Sequence, residues 1–403
     1  MFENNEIKLF TLALGIQDPW EITKIELDNT LNLHIYISFK RGSKFFCKSC
    51  NKKCSVHDTK EKVWRHLNFF EHKTFIHAKV PRIKCDEHNV HLVDVPWASG
   101  QTGFTILFEE FVMALAKKMS ILALTKIVDE NYGKIWRIIK KHACKYIKSI
   151  DCSKVTQFGL DETSVKGHHY ITVFIDLKTS RVLFIADGKC GDNIEKFRNF
   201  FVERGGDPNQ VTEVTSDMNM GFTTGIKKAF PNSKIIYDKF HVIKMINEAL
   251  DEVRKSENKK YSELKGSKYI WLKNEENLTS KQKNKFTKLS KMNLKTGIAY
   301  RLKLAIQNIY SLSYSPDLAI GEFDEWISWA LKSRLKPFIN VARTIKSKMK
   351  GVTNYFFCRL TNAMLEGTNS MIQNLKSRGR GYSNLENFKA MIYLMNSENR
   401  VIG

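Results

Sequence analysis

TQFGLDETSVKGHHYITVFIDLKTSRVLFIADG (156–188) contains three apolar-rich runs, TQFGLDETSV, HHYITVFIDL and RVLFIADG, with the turn residues KGH and KTS between them. Short runs rich in β-branched and aromatic residues, bounded by turn residues, read as consecutive strands. Asp161 and Glu162 stand just past the first apolar run, where a buried strand is expected to end. Successive strand side chains point to opposite faces, so only one of the pair can face a given cleft. A carboxylate there is either solvated punctuation or part of a site.

Downstream, NIEKFRNFFVERG (193–205) reads as a helix, VTEVTSDM (211–218) as a strand and GFTTGIKKAF (221–230) as a helix stopped by Pro231. SKIIYDKF (233–240) is another strand and HVIKMINEALDEVRK (241–255) another helix. This alternation predicts an α/β core over 151–250. KSENKKYSELKGSKYIWLKNEENLTSKQKNKF (255–286) is highly charged, and amphipathic stretches such as GIAYRLKLAIQNIY (297–310) follow, so 251–345 is expected to be helical. The segment 346–403 closes on a helical pattern, a Gly-Arg loop RGRG (378–381) and a final helix.

Upstream, WEITKIELDNTLNLHIYISF (20–39) alternates around Asp28-Asn29 as a hairpin does, giving a β-rich segment over 1–40. A cysteine-rich module spans 41–98. CKSC (47–50) offers two thiolates across a tight knuckle, and CDEH (85–88) a thiolate and an imidazole at the same spacing. Four such ligands in two pairs suit tetrahedral zinc, with Cys47, Cys50, Cys85 and His88 as the expected set and Cys54, His57 and His91 as competitors for a place. Reduced cysteines in a small β-rich module would be the plainer reading. Cys144, Cys152, Cys190 and Cys358 are scattered and expected to be buried free thiols.

From Phe104 the period becomes helical, and 104–150 includes LTKIVDENYGKIWRIIKKHACKYI (124–147). A short helix, a turn containing Gly133 and a longer basic helix form the layout of a helix-turn-helix. Leu124, Ile127, Ile135, Trp136 and Ile139 would pack; Lys134, Arg137, Lys140 and Lys141 would contact DNA. An ordinary bundle with a solvated lysine face fits the same pattern.

The 403 residues carry 65 Lys plus Arg against 42 Asp plus Glu, a net charge of +23, with a hydrophobic fraction of 42% that supports a sizeable core. Such an excess favours a polyanionic partner, because each neutralised phosphate releases condensed counterions. A membrane surface could also use the charge. MFENNEIKLF lacks a secretory leader pattern, and no apolar run approaches the ~20 residues of a membrane helix. A cytoplasmic, nucleoid-associated protein is expected.

Three acids stand out: Asp161 after TQFGL, Asp217 after VTEVTS, and Glu366 in the helical pattern NAMLEGTN (362–369). Acids ending neighbouring strands can share a divalent cation, since hard cations prefer oxygen ligands. An acid from a packed helix would complete a two-metal site. Asp238 also ends a strand, with His241 one turn on, but is expected to cap the following helix. Asp176 and Asp187 beside turns are expected to be solvated.

The chain resembles the transposases of the ISL-three insertion-sequence family, DDE transposases with a ribonuclease-H-like core. The resemblance runs from about Phe46 onward and rests on CKSC, VWRHL, VPRIKC, VPWA, FGLDETSVKGHHYITVFIDL, VTSDMNMGF, IIYDKFHVIK and RLTNAMLEGTNSMIQNLKSRGRGY in one order. It implies that Asp161, Asp217 and Glu366 are the catalytic triad holding two Mg²⁺ ions, with Glu162 on the opposite face. It also implies a helical insertion between the last core strand and the catalytic helix. Lys376, Arg378 and Arg380 are placed to hold a DNA backbone, and Asn369 to orient a carboxylate or touch DNA. The expected function is binding of terminal inverted repeats, strand cleavage and strand transfer into target DNA, by a homodimer on paired ends. A DNA-binding regulator or a nuclease that cuts without joining are the other classes.

Overall fold

The computed structural model describes residues 3–166, 169–188, 191–292, 294–313, 315–358 and 363–397, without the side chains of residues 3, 4, 166, 358, 363, 364 and 366. It forms two compact units, one of residues 1–148 with 386–403 and one of residues 149–385.

In the first unit, helix α1 (Glu3–Ala13) precedes strands β1 (Trp20–Leu27), β2 (Leu33–Phe39), β3 (Lys44–Phe46), β4 (Lys53–Phe69), β5 (His72–Cys85) and β6 (Asn89–Leu92). The order is β1-β2-β5-β4-β3, with β6 on β5. Leu33–Ile37 of β2 pair in parallel with Thr74–Ala78 of β5. Segment 1–40 and the cysteine module, read separately in the sequence, therefore share one sheet. A lone two-stranded hairpin is marginal in water, and here Ile22, Ile35 and Ile37 join Trp64, Ile76, Val80 and Trp97 in one core. Helices α2 (Ile106–Ala116), α3 (Ile121–Val128) and α4 (Tyr132–Ser149) follow. Thr105 and Ser120 side chains accept from the first turns of α2 and α3, satisfying amides that a helix start leaves open.

The second unit is built on β7 (Gln157–Lys166), β8 (His169–Asp176), β9 (Val182–Asp187), α5 (Asp192–Glu203), β10 (Glu213–Ser216), α6 (Met220–Ala229), β11 (Lys234–Tyr237) and α7 (Lys239–Glu257). The sheet order is β11-β10-β7-β8-β9; β7, β10 and β11 are parallel, and β8 and β9 alternate antiparallel. β7 continues past its apolar run to Lys166, so Asp161 lies mid-strand rather than at a strand end, held there by pairing to Val173 of β8. Asp176 is buried rather than solvated, because its carboxylate closes the β8–β9 turn by accepting from Lys178 N and Thr179 Oγ1 at 2.9 and 2.6 Å.

Phe158 and Leu160 point to one face of β7 and pack with Phe174, Val214, Ile194, Phe197, Phe222 and Ile226. The Phe174 and Phe197 rings stack 4.3 Å apart. The chain then runs through α8 (Lys268–Leu272), α9 (Ser280–Ser290), α10 (Lys295–Leu312), α11 (Pro316–Lys332), α12 (Lys336–Ser347), α13 (Met349–Thr353), α14 (Tyr355–Cys358) and α15 (Ala363–Arg378). Among the described residues of this stretch there is no strand, and buried side chains from α8 to α14 extend the same apolar core.

The closing helix α16 (Leu385–Asn396) groups with the first unit, not with the rest of the 346–403 segment. Lys117 Nζ donates to Ser397 O at 2.6 Å, and the Tyr146 and Tyr393 rings lie 6.1 Å apart. Among the described residues no helix is long and apolar enough to cross a membrane.

Candidate active site, metal module and nucleic-acid interface

Thr215 of β10 pairs with Gly159 of β7, and Ser216 with Tyr237 of β11. Extending each parallel register places Asp217 beside Asp161, and Asp238 beside Asp217, in one row. The alternation that turns Phe158 and Leu160 into the core turns Gly159 and Asp161 to the other face, where α15 lies. A Cβ on Gly159 would come within 2.7 Å of Leu365 Cδ1 and 2.7 Å of Thr215 Oγ1, so any larger residue would push these side chains aside where α15 packs on β7.

Asp161 accepts from Glu162 N at 2.7 Å and, through Oδ2, from Asn369 Nδ2 at 2.5 Å. Burial lifts its carboxyl above the ordinary range and the charge of Asp217 adds to this, while Asn369, the Glu162 amide and His241 oppose it. A half-buried carboxylate whose ionisation is opposed by burial and by a second negative charge suits a divalent cation, which offsets both charges. Glu162 shares the parity of Phe158 and Leu160 and leaves this row. Glu366 belongs to α15, but its side chain falls outside the described residues.

Asp238 caps α7, accepting from Phe240 N at 2.8 Å, and its other oxygen lies 3.2 Å from His241 Nδ1. That hydrogen bond, with Asp161 and Asp217 nearby, holds the His241 imidazole above its ordinary value against burial. Lys348 donates to Met218 O beside Asp217; its ammonium is lowered by burial, which the Asp217 charge opposes. Nothing in SKMKGVT (347–353) marks Lys348, which reaches the row only through the fold.

The sulfurs of Cys47, Cys50 and Cys85 and a ring nitrogen of His88 lie within 4.8 Å of one another. Cys50 Sγ is 3.6 Å from Cys85 Sγ, and His88 Nδ1 is 3.8 and 3.6 Å from Cys47 and Cys85 Sγ. Each pair sits on the tip of a hairpin that ends in a left-handed asparagine, Asn51 at φ 58° and Asn89 at φ 57°, a conformation asparagine tolerates well. Amides of the first turn lower the Cys47 thiol to about 6, Cys50 N–H first. Three sulfurs and one imidazole match the donors of a closed tetrahedral zinc site. Cys54, His57 and His91 stand outside this quartet.

In α2–α4, Leu124, Ile135, Trp136 and Ile139 are buried as expected, but Ile127 is exposed. Asp129, left-handed at φ 47°, ends α3, so the turn is 129–131 and Gly133 already lies in α4. Lys134, Arg137 and Lys140 are exposed along α4.

Residues 158–392 match the family model of the ISL3 DDE type described as Transposase. The chain belongs to the ISL3 family of transposases. Residues 93–143 match the helix-turn-helix domain of transposase family ISL3, and residues 43–88 the zinc-finger of the transposases of IS204, IS1001, IS1096 and IS1165. The chain is similar to the transposase for insertion sequence element IS1557 of Mycobacterium tuberculosis, 26% identical with 93% of this chain and 92% of that one covered. It is also similar to the transposase for IS1001 of Bordetella parapertussis, 24% identical over 93% and 95% of the two chains. The protein is thus a DNA-cleaving and strand-transferring enzyme with a helix-turn-helix, and the reading as a non-enzymatic regulator falls away.

Several basic residues assigned to DNA in the sequence are tied within the transposase. Lys141 Nζ reaches both carboxylate oxygens of buried Glu109 at 2.9 and 2.8 Å and Ser99 O at 2.5 Å. Lys134 pairs with Glu130 at 3.2 Å. Lys376 Nζ donates to Ser164 O at 3.0 Å, bracing α15 on β7. Lys376 and Arg378 lie in the last turn of α15, not in a loop; Arg380 follows, left-handed and exposed, beside Gly381 at φ 87°. Cys144 is exposed rather than buried, Cys152 is buried with its thiol pushed up to about 12, and Cys190 and the Cys358 side chain lie outside the described residues.

Glu109 also accepts from Thr102 Oγ1 and faces His142 Nε2 at 2.8 Å, so one buried carboxylate joins α2, α4 and the preceding loop. Burial acts against its charge and the bonds from His142, Lys141 and Thr102 outweigh that cost, leaving it below its usual range. Removing it would strand a cation with no counter-charge. Glu109→Ala is expected to destabilise the helix-turn-helix by about 2–4 kcal/mol, seen as lost amide protection in α2 and α4 on hydrogen exchange. Unchanged protection there would show that the cluster contributes nothing.

Proposed function

We propose that the second unit is a ribonuclease-H-like core whose Asp161, Asp217 and Glu366 hold two Mg²⁺ ions. On this reading the protein frees a 3′-hydroxyl at its element's ends and joins it to target DNA. The observation that carries the reading is Asp161 on the face of β7 that receives α15, with Asp217 just past the end of β10 beside it when the parallel register is extended. The paired divalent ions would act as Lewis acids on a phosphodiester. In cleavage, a water oxygen bonds to phosphorus, the 3′ oxygen leaves and takes up a proton, and the water gives one up. In joining, that 3′-hydroxyl gives up its proton as its oxygen bonds to a target phosphorus, and the displaced target 3′ oxygen leaves and takes up a proton. Asn369 would fix the Asp161 carboxylate, and Asp238 would set the tautomer of His241 at the edge of the row.

The quartet Cys47, Cys50, Cys85 and His88 would hold one structural zinc, keeping the first unit's two hairpin tips together. Arg137 and Lys140 on α4, with Lys134, would meet the terminal inverted repeats, while Arg378 and Arg380 would follow the DNA backbone near the metals. Paired ends call for a homodimer, working in the cytoplasm on the nucleoid.

Incubation of the purified protein with its own flanking DNA ends and Mg²⁺ tests the reading. Nicked ends and joined products are expected, and cleavage without joining would reduce it to a nuclease. Arg137→Ala is expected to lower discrimination between the repeats and random DNA by about 5- to 100-fold, the worth of one base-edge contact. Equal weakening on both DNAs would make Arg137 a backbone contact instead.

A further inference from the structure

Residues 258–295 hold eleven lysines and three glutamates with no arginine or aspartate, a net +8 of the chain's +23. A charge run of this kind is often only a solvated face, so its arrangement decides what it can do. Thr279 and Gln282 close α9 with reciprocal capping bonds, an ordered start for a helix of lysines that repel one another. Phe286 and Leu289 anchor the helix inward, with the Phe286 ring 5.5 Å from Trp271 and 5.3 Å from Tyr300. Lys285 bends back to donate to Lys265 O at 2.9 Å.

The opposite side of α9 and its C-cap is exposed at Lys281, Lys283, Asn284, Thr287, Lys288, Ser290 and Lys291. At 100° per residue these positions fill one continuous outward arc, and every one is a lysine, amide or hydroxyl. None of the four lysines forms an ion pair among the described residues. The charges of Glu275 and Glu276 act instead on Tyr300, whose hydroxyl is raised first by burial, and that of Glu276 also opposes the effect of burial on Lys303. A helix meant only for solubility gains from mixed charges at i and i+4 spacing; this arc has one sign, on a rigid support.

We infer that the outward arc of α9 is a second DNA-binding surface, which grips the phosphate backbone without reading sequence. Lysine, amide and hydroxyl groups are the donors that phosphate oxygens accept from, and they fix position without specifying bases. The surface lies in the second unit, whereas the helix-turn-helix lies in the first. The inference rests on the protein acting on DNA as a transposase, and it assigns the inserted helices a duplex to hold during that reaction.

The test uses the full-length protein with Lys281, Lys283, Lys288 and Lys291 all changed to Gln, which keeps helix propensity. Affinity for a random-sequence duplex and for a duplex carrying the element's end is measured across a salt series. If the four lysines meet phosphates, the log–log salt slope on random duplex becomes shallower by about 3 to 4, and affinity at low salt falls by about tenfold or more. The preference for the element's end is retained or increased, and the four Lys→Arg changes restore the slope. A slope unchanged within about 1 overturns the surface. An unchanged duplex slope with a lowered slope on single-stranded RNA overturns duplex DNA as its partner. If the parent shows no end preference but the slope still drops, the surface stands and end recognition by the helix-turn-helix is what fails.

Discussion

Asp161→Ala and Asp217→Ala are each expected to lower strand cleavage and joining by about 10³-fold or more while binding to DNA ends stays within about threefold. Asp161 lies on β7 and Asp217 one residue past the end of β10, and extending the parallel register of the two strands beyond Thr215 and Gly159 brings them side by side. Removing one carboxylate takes away an oxygen ligand where charge develops in the reaction. Asp161→Asn keeps the size and the contact with Asn369 yet loses the charge, so it should be nearly as damaging. Glu366→Ala should match them, completing the set from α15. Glu162→Ala, on the other parity of β7, should retain substantial activity. Asp238→Ala is the sharper comparison. Its loss uncaps α7, a cost of about 1 kcal/mol, and should leave cleavage measurable. If Asp238→Ala is dead and Glu366→Ala still cuts, the third carboxylate is Asp238, the next member of the row.

Cys50→Ser should remove the zinc of the first unit, taking bound metal from about one ion per chain to near zero by elemental analysis. Free energies of structural zinc sites, about 10–16 kcal/mol in isolated fingers, are folding energies as well. Loss should therefore appear as lost amide protection in β3 and β6, whose hairpins bring Cys47, Cys50, Cys85 and His88 together. The second unit should keep its protection, and end binding should weaken at least tenfold. Cys54→Ser, outside the quartet, should keep the metal, and comparing His88→Ala with His57→Ala and His91→Ala identifies the fourth ligand. A metal-free preparation with parental end binding and protected hairpins would rule out the structural role.

The strands that carry the acids were legible because their apolar runs are short, rich in β-branched residues and bounded by turns. The Cys/His quartet was legible because two-residue spacing lets both members of a pair converge on one point. Mid-strand Asp161 was harder: β7 runs on through polar DETS because β8 supplies its hydrogen bonds, and pairing outweighs local apolarity. Lys141 reads like any outward lysine of a basic helix; only the fold brings Glu109, 32 positions earlier, to its ammonium. Asp176 was misread for a related reason, since a turn acid counts as solvated until its own turn closes over it. Grouping failed most at the two ends of the chain. Alternation names a strand's buried face but not its neighbour, so the parallel pairing of β2 with β5 lay beyond local patterns.

The placement of α16 has a consequence for the order in which the protein is made. The first unit takes in residues from both before and after the catalytic unit, so a ribosome delivers its last helix only once β7 to α15 have been synthesised. Until then Tyr146 and Lys117 lack the partners that α16 brings. A nascent or prematurely terminated chain ending before Leu385 thus carries an unfinished DNA-recognition unit. Completion of the first unit is deferred to the end of translation, after the whole of the second unit has been made.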